Sequence, residues 1–206
     1  MINFGEEYYN YTKKENNCDY KVKGEWQKDY AKFIKQYFKE FINKKCLDFG
    51  CALGANTSAL KDIGFDIIGL DVDKWYKENT PFKNINIETY NPDNPIFPFE
   101  DDYFDFIHSH QVIEHIKEEK IDNIFKELNR VCKLNGILYI STTQEDKNGI
   151  KYEPTHYSCL SEKAWINYFK KAGFKNISKK YPTLVNNEKA IKYKWVQFVF
   201  KKIKNI

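Results

Sequence analysis

The sequence predicts an α/β domain: a mostly parallel sheet of seven strands, closed by an antiparallel hairpin, with helices on both faces. Two observations carry this. The stretch Leu47-Asp48-Phe49-Gly50-Cys51-Ala52-Leu53-Gly54-Ala55-Asn56-Thr57 is an apolar run, an acid and two glycines four apart. One helix length later, Ile67-Ile68-Gly69-Leu70-Asp71-Val72-Asp73 is a second apolar run ending in an acid. Strand, tight turn, helix and second strand form the first half of a nucleoside-binding α/β domain. Further apolar runs alternate with helical stripes along the rest of the chain, as a sheet covered on both faces requires.

Helical spacing runs over residues 25–43, where Trp26, Tyr30, Phe33, Ile34, Tyr37, Phe38, Phe41 and Ile42 recur three and four apart. It leads into the first strand, 46–49. Residues 56–63 read as a helix stopped by Gly64, and 66–70 as the second strand. A third strand fits 84–89, and 91–95 is a loop because Pro92 and Pro95 each fix φ and remove a donor. Residues 104–109 form a buried fourth strand. Ile121, Ile124, Phe125, Leu128 and Val131 give a helical stripe, followed by a turn at 133–136 where Asn135 and Gly136 can take left-handed angles. The fifth strand is 137–142. Ser161 starts a helix bearing Trp165, Tyr168, Phe169 and Ala172, which Gly173 ends. Residues 174–179 and 195–200 close the sheet as an antiparallel pair, with 181–193 an excursion between them. The first 24 residues, rich in tyrosine (Tyr8, Tyr9, Tyr11, Tyr20), read as an irregular extension before the main domain, 25–206.

The bulk numbers restrict function. With 206 residues and 42% apolar composition, one domain can bury a sizeable core. The net charge of +4, from 33 bases and 29 acids, is too balanced to argue for a nucleic-acid partner. Cys18, Cys46, Cys51, Cys132 and Cys159 are odd in number and form no C-x-x-C pair, which argues against disulfides or structural zinc and fits a cytoplasmic setting. The N-terminus carries no apolar signal-peptide core, and no run approaches the ~20 apolar residues of a membrane span.

A nucleoside cofactor lying across the strand ends needs bare backbone at Gly50 and Gly54, and Asp71 is placed to accept hydrogen bonds from two ribose hydroxyls. Ala52 and Ala55 occupy the places of the second and third glycines of a dinucleotide turn, so a ligand without phosphate fits better than a nicotinamide dinucleotide.

Here the chain resembles the class I S-adenosylmethionine-dependent methyltransferases over about residues 25–200. Asp48 to Gly54 resembles D-x-G-C-G-x-G, with Ala52 at the middle glycine. Phe97-Pro98-Phe99-Glu100-Asp101-Asp102-Tyr103-Phe104-Asp105 resembles L-P-F-x-D-x-x-F-D, and Val112-Ile113-Glu114-His115 resembles V-L-E-H. Arg130-Val131-Cys132-Lys133-Leu134-Asn135-Gly136 resembles R-V-L-K-P-G-G. Pro154-Thr155-His156-Tyr157 with Ala172-Gly173-Phe174 is similar to the P-x-H and A-G-F ending of small-molecule members. The resemblance implies a Rossmann-like fold and S-adenosylmethionine as cofactor, leaving as S-adenosylhomocysteine. It places Asp48, Gly50, Cys51, Ala52, Gly54, Asn56 and Thr57 around the methionine portion and Asp71 and Val72 at the ribose. Asn91 or Asp93 would face the adenine, and Ser109 and His110 the amino group or the substrate.

Methyl transfer needs donor and acceptor in line and water removed, with a base when the acceptor is a hydroxyl. Of the four histidines, His108 reads as core and His115 as structural. His110, where the sheet opens, and His156, in the loop after the fifth strand, are the candidate bases. Ser109-His110-Gln111-Val112 replaces the N/D-P-P-Y of many amino-group methyltransferases, which favours an oxygen acceptor. The P-x-H ending resembles members acting on sugars or other small polar metabolites. Tyr8, Tyr9, Tyr11 and Trp26 read either as a lid with sugar-stacking faces or as packing for the leading helix; Asn186, Asn187 and Lys192 are candidate substrate contacts. The rivals are a catalytically inert cofactor-binding subunit and a small-molecule N-methyltransferase. No metal site is expected: Asp101, Asp102 and Asp105 read as solvated surface.

Overall fold

The computed structural model describes residues 3–15, 19, 21–143, 153–188 and 195–206. Its centre is a seven-stranded sheet: β1 (Lys45–Phe49), β2 (Asp66–Asp71), β3 (Ile87–Thr89), β4 (Phe104–His110), β5 (Cys132–Thr143), β6 (Phe174–Asn176) and β7 (Trp195–Lys202). The order is β3-β2-β1-β4-β5-β7-β6. All pairs are parallel except those of β7, which runs antiparallel to both β5 and β6. The helices are α1 (Glu6–Glu15), α2 (Glu25–Phe38), α3 (Ala55–Asp62), α4 (Lys74–Asn79), α5 (Glu118–Val131), α6 (Glu162–Lys171) and α7 (Pro182–Val185).

Each face of the sheet has its own core. Phe49, Phe104, Phe125, Trp165, Phe169 and Phe200 pack under α5 and α6. Tyr30, Ile34, Phe38, Phe106, Tyr139 and Val199 pack under α2, α3 and α7. The apolar stripes predicted for α2, α5 and α6 are the buried faces of those helices.

The structure corrects the sequence reading in several places. The N-terminal segment contains α1, whose first-turn acids (Glu6, Glu7) and last-turn lysines (Lys13, Lys14) complement the helix dipole. The leading helix stops at Phe38 and continues as a 3-10 turn, Lys39–Phe41. Asn43, left-handed at φ +61, and the bridge of Ile42 to Phe65 end it. The turn at 133–136 is a bulge inside β5: pairing with β4 jumps from Phe104↔Cys132 to Phe106↔Ile137. There Asn135 is left-handed at φ +70, whereas Gly136 is absent from the positive-φ residues. Gly136 is needed for space, since a β-carbon would lie 2.6 Å from the Cys132 sulfur. The third strand shortens to Ile87–Thr89, and the sixth gives way to a 3-10 turn at Ser178–Lys180. In the excursion, Asn186 and Asn187 donate to the Pro182 and Leu184 carbonyls of α7 (3.0 and 2.7 Å). Tyr20, Cys18 and Lys192 lie outside the described residues. Asp101, Asp102 and Asp105 each pair with a base: Arg130 (2.9 Å), Lys202 (2.7 Å) and Lys133 (2.8 Å). Among the described residues, no helix is long and apolar enough to cross a membrane.

The antiparallel edge is locked by one cation. Lys202, 1% exposed, reaches Asp102 Oδ1 (2.7 Å) and the carbonyls of Asn129 (2.7 Å) and Cys132 (2.6 Å). Lys202→Met is expected to cost about 3 kcal/mol in urea unfolding, because it leaves buried acceptors unpaired. Asp102→Asn, on a side chain 44% exposed, is expected to cost under about 1 kcal/mol.

Candidate active site

Chain order reverses direction across the sheet between β1 and β4, and a crevice opens beyond their carboxyl ends, where such sheets bind ligands. Its volume is about 1020 Å³, the upper end of the roughly 300–1,000 Å³ range of small-molecule sites. A nucleoside cofactor and a small second molecule fit together in such a space.

The floor is the turn after β1. Gly50 and Gly54 are left-handed, at φ +78 and +86. A β-carbon on Gly50 would lie 2.2 Å from Val112, and one on Gly54 2.2 Å from Ile85. At Gly50 the branched Val112 side chain leaves no room for a β-carbon, and at both positions the left-handed backbone itself favours glycine; Gly54 stands outside the crevice lining. Ala52, at the place of the middle glycine, is itself left-handed at φ +48. Its amide and that of Val72 both donate to the Asp71 carboxylate, each at 2.7 Å. Asp71 lines the crevice at 8% exposure. Burial pushes its carboxyl up to about 6, against the pull of those two amides.

Of the other predicted cofactor residues, Cys51, Ala52, Asn56, Val72 and His110 line the crevice. Burial holds the Cys51 thiol well above its ordinary value, so it is no nucleophile. Asn56 Oδ1 and His110 Nδ1 are buried without a hydrogen-bond partner. These orphaned atoms, with the Asp71 carboxylate, fit a polar ligand carrying hydroxyl and amino donors. Asp48 and Thr57 lie beneath the turn, hydrogen-bonded to each other at 2.6 Å, and do not line the crevice. Ser109 is fully buried under the strand end with its hydroxyl unpaired. In the 91–95 loop Pro92 faces the crevice, while Asn91 accepts from the Asp93 amide (2.8 Å) and Asp93 pairs with Lys120.

The second half of the crevice is aromatic. His110 packs against Tyr30 (4.9 Å between centroids), Trp26 (5.5 Å) and Trp195 (4.9 Å, edge-on). Burial, then the neighbouring His108, lowers its pKa to about 3, so the ring stays neutral at physiological pH. Trp26 stacks on Tyr30 at 5.1 Å and also lines the crevice. Of the N-terminal aromatics, Phe4 and Tyr8 line the crevice, whereas Tyr9 packs with Leu53, Trp75 and Tyr76.

His156 is not in the lining; its ring meets His115, which is. Burial pushes Glu114 up to about 7 and, with the nearby His156, His115 down to about 3. Gln111, left-handed at φ +55, and Trp195 also line the crevice. Neither carries a local signal: a left-handed glutamine has no sequence signature, and Trp195 reads only as a strand residue.

The Rossmann-like sheet and a crevice at its switch point, with an acid ending the second strand, define the class: S-adenosylmethionine-dependent methyltransferases. The chain belongs to the methyltransferase-domain family, whose profile matches residues 22–179. It is similar to the ubiquinone biosynthesis O-methyltransferase of Pelagibacter ubique, 30% identical over 112 residues, covering 53% of this chain and 46% of that one. It is also similar to the sterol 4-C-methyltransferase strm-1 of Caenorhabditis elegans, 31% identical over 131 residues, covering 57% and 39%. The matched stretches thus span less than half the length of these relatives. In fold it matches a SAM-dependent methyltransferase structure from Archaeoglobus fulgidus, with a TM-score of 0.69 at 15% identity over 95% of this chain and 99% of that one.

Ala52→Gly is expected to raise stability by up to about 1 kcal/mol in urea unfolding, because it relieves a left-handed alanine. Affinity for S-adenosylhomocysteine is expected to fall as the pH drops through about 6. Protonated Asp71 offers fewer acceptors to hydroxyl donors, so binding favours the ionised form. Calorimetry on Asp71→Asn should show weaker binding with that pH dependence gone.

Proposed function

We propose that this domain transfers the methyl group of S-adenosylmethionine to an oxygen of a small, ring-bearing acceptor. The bound cofactor supplies an electrophilic methyl on a sulfonium. The observation that carries the reading is a crevice with a buried acid and the unpaired Asn56 Oδ1 at its β1–β2 end and aromatic rings around a neutral histidine with an unpaired Nδ1 at the other.

Asp71 would hold the ribose hydroxyls, and Asn56 with the backbone of Gly50 to Ala52 the amino-acid end. His110 would accept the hydrogen of the acceptor hydroxyl at Nδ1. As the acceptor oxygen took the methyl group and the sulfonium left as a neutral thioether, His110 would keep the proton that oxygen gave up. Trp26, Tyr157 and Trp195 would grip the acceptor ring and keep water out. Segment 1–24 would act as a lid, supported by the placement of Asn3, Phe4 and Tyr8 on the crevice. A sugar or other small polar metabolite suits those stacking faces. A phenolic ring is the second reading, favoured by the aromatic lining and the likeness to a ubiquinone-pathway O-methyltransferase.

The test is methyl transfer from labelled cofactor to panels of sugars and of phenols, scored by product mass and position. Methylation only of amines, or none with either panel, would overturn the reading. His110→Ala is expected to lower kcat by about 10²-fold or more, with the dissociation constant for S-adenosylhomocysteine within about threefold. Equal loss of both would mark His110 as a cofactor contact instead.

A further inference from the structure

Three side chains of metal-ligand type converge beside the crevice from two distant stretches. Glu114 and His115 lie in the 3-10 turn after β4, Ile113–His115, and His156 in the segment leading to α6. Their donor atoms all lie within 4.8 Å of one another. The two rings stand 4.7 Å apart, at 73°.

The cluster is held by the backbone. The amides of Tyr157 and Ser158 both donate to the Glu114 carbonyl, at 2.8 and 2.9 Å. Thr155 orients His115. Its hydroxyl donates to Glu153 Oε1 at 2.8 Å, so toward the ring it only accepts, as its carbonyl must. His115 Nδ1 lies 2.9 Å from that hydroxyl and 3.1 Å from that carbonyl oxygen. Nδ1 therefore carries the ring proton, and Nε2 presents a lone pair. A carboxylate acting through a hydroxyl to fix the tautomer is what a metal-bound imidazole requires around it.

Glu114 is a second, independent indication. It is completely buried, and its hydrogen-bond partners among the described residues include no lysine or arginine. Its oxygens accept from Thr142 Oγ1 (2.8 Å) and Thr143 Oγ1 (3.4 Å) and from the backbone amides of Glu114 and Thr143, all of them neutral donors. A buried carboxylate is normally paired with a cation or bound to a metal.

We propose that Glu114, His115 and His156 bind one divalent first-row transition ion. Two imidazole nitrogens and one carboxylate suit zinc, cobalt or iron better than magnesium. Three protein ligands leave coordination positions open on the side of His115, which lines the crevice. The role we give the ion rests on the oxygen-acceptor reading above: it would hold the acceptor hydroxyl and ease loss of its proton. No local sequence pattern marks this cluster, because its ligands lie about 40 residues apart and only the fold joins them.

The test uses the full, untagged chain after treatment with a chelator, without S-adenosylmethionine. Calorimetry with Zn²⁺ and absorption spectroscopy with Co²⁺ are expected to give one ion per chain. The Co²⁺ spectrum should show ligand-field bands and no sulfur-to-metal band. Glu114→Gln and His156→Ala should each weaken Zn²⁺ binding by about tenfold or more, while affinity for S-adenosylhomocysteine stays within about threefold, which shows that the variants are folded. Equal Zn²⁺ affinity in wild type and the double variant would overturn the proposal, as would a sulfur-to-metal band from a site at Cys159. Ion binding without methyl transfer to any hydroxyl would sink the oxygen-acceptor reading alone. Hydroxyl methylation by protein that binds no ion would sink the metal site alone.

Discussion

One buried acid in the first strand determines where the crevice lies. Asp48, 2% exposed, accepts from Thr57 of α3 at 2.6 Å and from His108 Nδ1 of β4 at 2.7 Å. Tyr30 of α2 completes the chain at 2.9 Å from His108 Nε2. Burial keeps the Tyr30 phenol protonated, so it donates to that nitrogen. Every donor thus points inward, towards one carboxylate that joins four elements. A carboxylate stripped of these donors in the core would cost several kcal/mol. The pairing of Asp48 with His108 across β1 and β4 is therefore hard to shift, since slipping by one residue would turn the acid to the opposite, apolar face.

That register also sets where the end of β4 meets the crevice. His110 is two residues beyond His108 and so on the same side of the strand, where it meets the far side of Tyr30. Two histidines of one strand thus have different work. His108 is committed to the internal network, and His110 keeps a nitrogen free at the strand end. The strain in the site also collects there: Ala52 and Gln111, both left-handed, flank the junction of β1 and β4 from either side.

The parts legible from sequence were those with local causes. Periodic apolar residues marked α2, α5 and α6, and the glycine turn with Asp71 marked the floor. The N-terminal helix was hidden because its tyrosines have no regular spacing and its support comes from Tyr9 packing on distant Leu53 and Tyr76. The bulge in β5 looked like a turn because its glycine and asparagine are turn residues, and only pairing with β4 shows the ladder continuing past them. Motif position alone does not reveal which way a strand side chain points: it groups Asp48 with the cofactor residues, while in the fold the carboxylate bonds to Thr57 and His108 beneath the turn. Trp195 and the His115–His156 pair depend on contacts between stretches far apart in the chain, which no local pattern encodes.

The topology of the closing hairpin governs how the molecule comes into being on the ribosome. β7 sits between β5 and β6, yet it is the last of the seven strands to be synthesised. Until it emerges, β5 exposes an apolar border with open peptide groups and β6 lacks its neighbour, a state that invites association between nascent chains. The same strand begins with Trp195, a wall of the crevice. The pocket is thus finished only when the fold is, so a half-made chain lacks the complete cofactor-and-acceptor chamber.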